Sequence, residues 1–457
     1  MQVGMILLVS LVALITSFKL FSYAAGSMSL RKLNTISYVF YVQIVAMTFV
    51  GSVLAAINVV DFHYLVSLVS DQTKIYGWIA VMYSMLAMPI AMIALNNALG
   101  VKVRAKLDRY IHQPIEFRQG PTLSLVVLLL FTCLSFGVLL YTIYFTRAIP
   151  LFTLLSGDKE GAAIQRVEAR YFFGGVEYVR NFLGYLMMPI FTYYAGIHAF
   201  EKRRLIYWFF FVINFLMTVF LLLFDIQKAP IVFFLFGFII LYTLIRGGIS
   251  KKTLLVFGVT GLFLIAGGYA VTQGKSIIGQ ITDIGSSLWG RVFISEYVGV
   301  LLSFEYFPEV ITQPTWYIGI PSFILEYFDV KNIESARLLM MQVNPAGVAS
   351  GEANLISSYF MAEAWANYGW FGLIVSPIVV GVVLQSVHLF LLKNPKTPLI
   401  MAFYSYITVR WLLSSGFVNF LYLKIILFPL IFYLLFNAII NSLSNKKLYT
   451  RNGSTYF

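Results

Sequence analysis

Apolar runs of about 20 residues recur along almost the whole chain, separated by polar stretches of two unlike kinds. A helix of that length crosses the roughly 30 Å hydrocarbon core of a bilayer. The pattern predicts eleven such helices, at 3–23, 36–60, 75–95, 122–145, 182–200, 205–224, 229–245, 253–271, 367–392, 397–413 and 420–441. The ten-residue alternation of membrane strands is absent, and every backbone group in lipid needs an internal partner. The expected fold is therefore all-α: a polytopic helix bundle forming a single transmembrane domain over 1–457. No polar stretch is long enough for a separate soluble core.

The connections alternate in charge. One set carries nineteen Lys and Arg against Asp108, Glu116 and Glu201; the other carries eleven Lys and Arg and the remaining sixteen acids. Cations collect on the cytoplasmic side of membrane helices, which predicts an outside N-terminus and an inside C-terminus. The run 3–23 has no basic residue ahead of its apolar core, and its first lysine is Lys19, so it reads as a retained span rather than a cleaved signal. With 60% apolar residues and 11% charged, the net charge of +13 is explained by orientation in a membrane. Membrane lipids, not nucleic acid, are the expected surroundings. The single cysteine, Cys133, lies mid-span and is expected to pack; alone, it excludes an intrachain disulfide and a thiolate metal cluster.

Two long outward loops stand out, at 146–181 and 272–366. In the first, Arg166 and Arg170 are one helical turn apart, with Arg180 following. Two guanidinium groups side by side suit phosphate oxygens, and Glu168 and Glu177 offer ion pairing as the alternative. The second loop holds Arg291, Arg337 and carboxylates that include Glu296, Glu352 and Glu363, interspersed with Tyr and Trp. Such a mixture lines sugar sites, and it equally forms an interfacial aromatic belt. At 100° per residue, Glu352, Tyr359, Glu363 and Trp370 share one face, with Asn367 a turn beyond Glu363. A polar stripe leading into an apolar span is expected to face a cavity or the bundle interior. Arg410 and Lys424 lie at the outer ends of their spans, where snorkelling or an anionic headgroup accounts for them. The chain has no P-loop, dinucleotide fingerprint, HExxH or serine elbow. Of its histidines, His112, His198 and His388 lie toward the basic side, and only His63 lies outside.

The span order, the two loops, the segment GEANLISSYFMAEAWANYGWFG at 351–372, the IPSF element, and Arg291 followed by ISEYVG together resemble the Wzy-type O-antigen polymerases. The likeness covers most of the chain in topology and about 80 residues in local motif. It implies a fold similar to GT-C type glycosyltransferases and a place in the bacterial inner membrane. It also implies polymerisation of undecaprenyl-pyrophosphate-linked oligosaccharide units at the periplasmic face, with no cofactor, metal or nucleotide sugar. A chain-length regulator (co-polymerase) is the implied protein partner. Arg291, Glu352, Glu363 and Glu296 are the expected catalytic residues. Arg166, Arg170, Arg180, Arg337, Arg410 and Lys424 are expected to bind pyrophosphate, and Asn354, Tyr359, Asn367 and Tyr368 to bind sugar. Some members carry Arg, ten residues, then Gly in both loops; here Glu177 and Leu302 stand where the glycines would be. The related O-antigen ligases use a histidine in the large loop, and 272–366 has none. A flippase, the other alternative, would carry charges buried along many spans.

Overall fold

A computed structural model describes residues 2–61, 63–146, 148–171, 173–273, 276–282, 287–312, 325, 327–328, 333–349, 353, 355–410, 412–414 and 416–452. The described elements are helices, with no strand among them. The chain divides into two compact units. Unit one comprises Met1–Asp108, Gly258–Phe390 and Trp411–Lys424; unit two comprises Arg109–Phe257, Leu391–Arg410 and Ile425–Phe457.

Nine described helices are long and apolar enough to cross a membrane: Val3–Ala25, Thr35–Ala56, Asp71–Ala98, Pro121–Phe145, Leu205–Leu223, Lys228–Arg246, Lys251–Gly268, Phe360–Lys393 and Phe417–Ile439. The chain is thus a multi-pass helical membrane protein. The other two expected spans have a different character. Pro398–Arg410 has 13 residues and is buried almost throughout; at 1.5 Å per residue it reaches roughly 20 Å, short of a bilayer core. The continuous helix formed by Val179–Met187 and Met188–Lys202 is long enough but carries Asn181, Thr192 and His198. Its second half is almost wholly buried. A helix enclosed by other helices has no need of a lipid-like surface.

The loops are more helical than expected. The first contains Pro150–Leu155 and Lys159–Tyr171. The large one gives way to helix at Phe360, seven residues before the predicted span. The proposed stripe of Glu352, Tyr359, Glu363 and Trp370 is not continuous. Residues 355–359 are not helical, and Gly369 (φ 57°, ψ −139°) breaks the helix, turning Trp370 out to 69% exposure. Cys133 is exposed on its span rather than packed.

In unit one, polar side chains tie helix to helix where lipid offers no hydrophobic drive between them. The Trp78 indole donates to Ser10 Oγ (2.9 Å), Ser17 Oγ to Met85 O (2.9 Å) and Gln385 Nε2 to Asn96 Oδ1 (2.7 Å). Into this frame packs a short helix of the large loop, Ser295–Tyr306, buried from Glu296 to Ser303. The Tyr297 hydroxyl donates to Lys74 O (3.1 Å), and Ser303 Oγ to Ala362 O (2.7 Å). Gly299 lets 357–358 lie against the helix: a Cβ there would collide with the Ser358 side chain and sit 2.7 Å from Ser357 O. Gly299→Ala is expected to cost at least about 1–3 kcal/mol, read as a lowered melting temperature in detergent. Gly258→Ala meets nothing within 4 Å and is expected to be neutral or slightly stabilising.

Unit two is centred on Met188–Lys202, which packs on Leu205–Leu223 and Pro398–Arg410. The Thr192 and Thr218 hydroxyls meet at 2.8 Å, and Asn214 joins Thr132 (2.7 Å) to Ser135 (3.1 Å).

Candidate active site

The buried helix Ser295–Tyr306 is entered through a π-helical turn, Gly290–Ile294. The wider turn brings residues five apart toward one side, so Arg291 precedes Glu296 by about one turn. Arg291 is exposed and Glu296 is 8% exposed. Glu296 Oε1 accepts from Ser357 Oγ (2.8 Å), and the Ser414 hydroxyl also bonds this carboxylate. Oε2 is buried with no partner among the described residues. Burial pushes the carboxyl up to about 7, outweighing the two serine hydrogen bonds that favour the charged form. The Glu296 carbonyl accepts from Tyr359 N (3.0 Å), which fastens Ser357 in place.

Glu363, also 8% exposed, lies in the first turn of Phe360–Lys393. Its Oε2 accepts from Val418 N (2.9 Å). Gly416 holds φ +88°, and a Cβ there would sit 2.5 Å from that oxygen, so only glycine lets the chain pass this close. The two buried carboxylates therefore grip one short segment, Glu296 at Ser414 and Glu363 at Gly416 and Val418. Tyr359 is buried, its hydroxyl 3.1 Å from Ser84 Oγ, and the Tyr368 hydroxyl bonds that of Tyr422. Asn367, one turn beyond Glu363, is 6% exposed, and neither its Nδ2 nor its Oδ1 has a partner among the described residues. Native interiors rarely leave such groups bare, so Glu296 Oε2 and Asn367 mark bonding capacity that none of the described residues uses.

The expected cations are distributed over both units. In unit one Arg291 lies beside His63. Burial, and the Arg291 charge with it, hold the His63 ring below its ordinary range against a backbone hydrogen bond that favours the charged form. Arg337 donates to Ala353 O (3.0 Å) from Ser335–Val343. Glu352 and Asn354 lie outside the described residues, as do the side chains of Lys424 and Arg170. In unit two Arg166 is exposed on Lys159–Tyr171, the helix that sets it one turn from Arg170. Arg180 is 5% exposed; its Nη1 donates to Ala169 O (2.8 Å) and its guanidinium lies 4.2 Å over the Phe173 ring. Arg180 and exposed Arg410 both approach Tyr185, whose hydroxyl donates to Asp225 Oδ2 (3.0 Å).

Ser357, Ser414, Gly416, His63 and Asp225 were not among the expected site residues. Ser357 lies inside the GEANLISSYF motif and was legible as a hydroxyl two residues before Tyr359. The others reach their places only through long-range packing. Among the described residues, no group of three or more His, Cys, Asp and Glu is close enough to hold a metal ion. Comparison with known proteins finds no matching family model, no similar curated protein and no similar solved structure.

Proposed function

We propose that the chain is a membrane glycosyltransferase that polymerises undecaprenyl-pyrophosphate-linked oligosaccharide units beyond the outer leaflet, as its resemblance to Wzy-type polymerases implies. The observation that carries the reading is Glu296: a buried carboxylate with Oε1 held by the Ser357 hydroxyl, Oε2 buried without a partner among the described residues, and a pKa raised to about 7. Those are the properties of a general base. In the reaction, a hydroxyl of the incoming unit attacks the anomeric carbon of the growing glycan. Its proton passes to Glu296, and the bond from that carbon to undecaprenyl pyrophosphate breaks, with the electron pair leaving on the pyrophosphate. Arg291 stabilises the charge gained there, which is worth more in the transition state than in the ground state. The Glu363 carboxylate favours the positive charge that develops at the anomeric centre. Asn367 and Tyr368 bond sugar hydroxyls. The chemical step draws on unit one alone.

Asn367→Leu separates binding from stability. Removing a buried, unpartnered amide is expected to stabilise the protein by up to about 1–3 kcal/mol, visible as a raised melting temperature. The same change is expected to reduce polymer yield, because a sugar hydroxyl loses its partner. The reading as a whole is tested by reconstituting purified protein with lipid-linked repeat units and no nucleotide, metal or partner protein. A ladder of polymer is the expected product. Transbilayer movement without bond formation would instead identify a flippase, and transfer only to a lipid A core would identify a ligase.

A further inference from the structure

The first long loop carries an exposed apolar surface that plays no part in that reaction. Its two helices, Pro150–Leu155 and Lys159–Tyr171, fold back on each other within unit two. Gly157 makes the turn at φ +94°, and Asp158 Oδ1 accepts from Gly161 N (2.8 Å) at the start of the second helix. Thr153 Oγ1 donates to Gln165 Oε1 across the pair. Buried Arg180 holds the far end through Ala169 O, and Val176 N donates to the Tyr141 hydroxyl (2.7 Å). The hairpin is thus fastened to the helices it adjoins.

The two helices differ in what they expose. Lys159–Tyr171 shows Arg166 and Glu168, whereas Pro150–Leu155 shows Phe152 and Leu155, the latter 74% exposed. Their depth follows from their neighbours. Val126, Leu130, Cys133, Leu140 and Tyr144 are exposed at helical spacing along one side of Pro121–Phe145, and Phe209, Val212 and Leu216 do the same on Leu205–Leu223. Exposed apolar rows on membrane-crossing helices face acyl chains. Phe220 continues the second row, one turn before the helix ends at Leu223, and the Phe152 ring meets the Phe220 ring at 5.9 Å. Tyr144 closes the first row, at the level where amphipathic rings mark the edge of the hydrocarbon. The apolar side of Pro150–Leu155 therefore continues the lipid-facing surface at the last helical turn. Six residues reach roughly 9 Å, so this helix lies in the boundary and does not cross it.

We propose that the hairpin Pro150–Tyr171 docks on the bilayer, with Phe152 and Leu155 inserted among the acyl chains of the leaflet at that end of unit two. Lipid is the occupant because the surface is continuous with rows that already face it. A loop expected in water is then, on one side, part of the membrane surface of the protein. The proposal rests on unit two alone and stands or falls separately from the polymerase reading.

The test uses the full-length protein carrying Cys133→Ala, reconstituted in vesicles of phosphatidylethanolamine and phosphatidylglycerol. Spin labels on single cysteines are read by power saturation, with oxygen probing hydrocarbon and a nickel chelate, present on both sides of the vesicle, probing water. Leu140→Cys, in a lipid-facing row, and Arg204→Cys, exposed at the opposite end of Leu205–Leu223, give the two reference responses. The Leu155→Cys label is expected to behave as the Leu140→Cys label does, relaxed by oxygen and with the nickel effect lost. Phe152→Cys is expected to match it. Leu155 is largely exposed, so its replacement leaves the fastenings of the hairpin intact even if Phe152→Cys loosens the contact with Phe220. A Leu155→Cys label relaxed by nickel as strongly as the Arg204→Cys label would overturn the proposal and leave the surface to a protein partner.

Discussion

Glu296→Gln is expected to cut polymer formation by about 100-fold or more while leaving the fold in place, the usual cost of removing a general base. Glutamine keeps an oxygen to accept from Ser357, so the packing against 357–359 survives. What it lacks is the ability to take a proton. With the carboxyl at about 7, the wild-type rate should rise with pH through that value and level off above it, since the ionised form is the active one. Stability should move the other way. A carboxyl raised in the folded protein binds its proton more tightly there than in the unfolded chain. Its stabilising contribution is complete below its ordinary value of about 4.5 and is lost as the pH climbs through about 7. Opposite slopes of rate and stability over the same window, both flattened in Glu296→Gln, are a signature that a purely structural carboxylate would not give. Rate profiles and detergent melting curves at matched pH values measure both.

Glu363 calls for a pair of substitutions. Glu363→Leu strands the buried Val418 N–H that now donates to Oε2, and should cost about 1–3 kcal/mol. It also removes the charge. Glu363→Gln keeps an oxygen for Val418 and removes only the charge, so its melting temperature should stay near that of the wild type. Its polymer yield should nevertheless fall about 100-fold, the scale on which a buried electrostatic contributor to a transition state acts. A glutamine variant with normal yield would reduce Glu363 to a backbone cap for the segment around Gly416.

The helices that face lipid could be read from the sequence because the hydrocarbon leaves backbone groups no alternative partner. Hydropathy says less where helices are enclosed by protein. Pro398–Arg410 is a 13-residue helix buried almost throughout, and Val179–Lys202 runs through its unit with Asn, Thr and His along it. The helical stripe through Glu352 and Trp370 failed for local reasons. A single positive-φ glycine, Gly369, and a non-helical 355–359 break the phase on which 100° counting depends. Composition pointed to Glu296 and Glu363, since acids in an apolar chain need a purpose. It gave no sign that both would close on 414–418, or that His63 would meet Arg291, because those contacts span more than fifty residues of sequence. The arginines show the same division: Arg166 is exposed, whereas Arg180 is buried over Phe173, a difference that their shared residue type conceals.

The most direct measurement replaces Cys133 with Ala and introduces one cysteine at a time for labelling by a membrane-impermeant maleimide in intact spheroplasts. Arg291→Cys is exposed and belongs to the loop expected outside; Arg204→Cys is exposed and belongs to the loop expected inside. Labelling of the first, with the second reacting only after the membrane is opened, is the predicted result. If Arg204→Cys reacts in sealed spheroplasts and Arg291→Cys does not, the acidic site faces the cytosol, and a reaction on lipid-linked glycans at the outer face is contradicted.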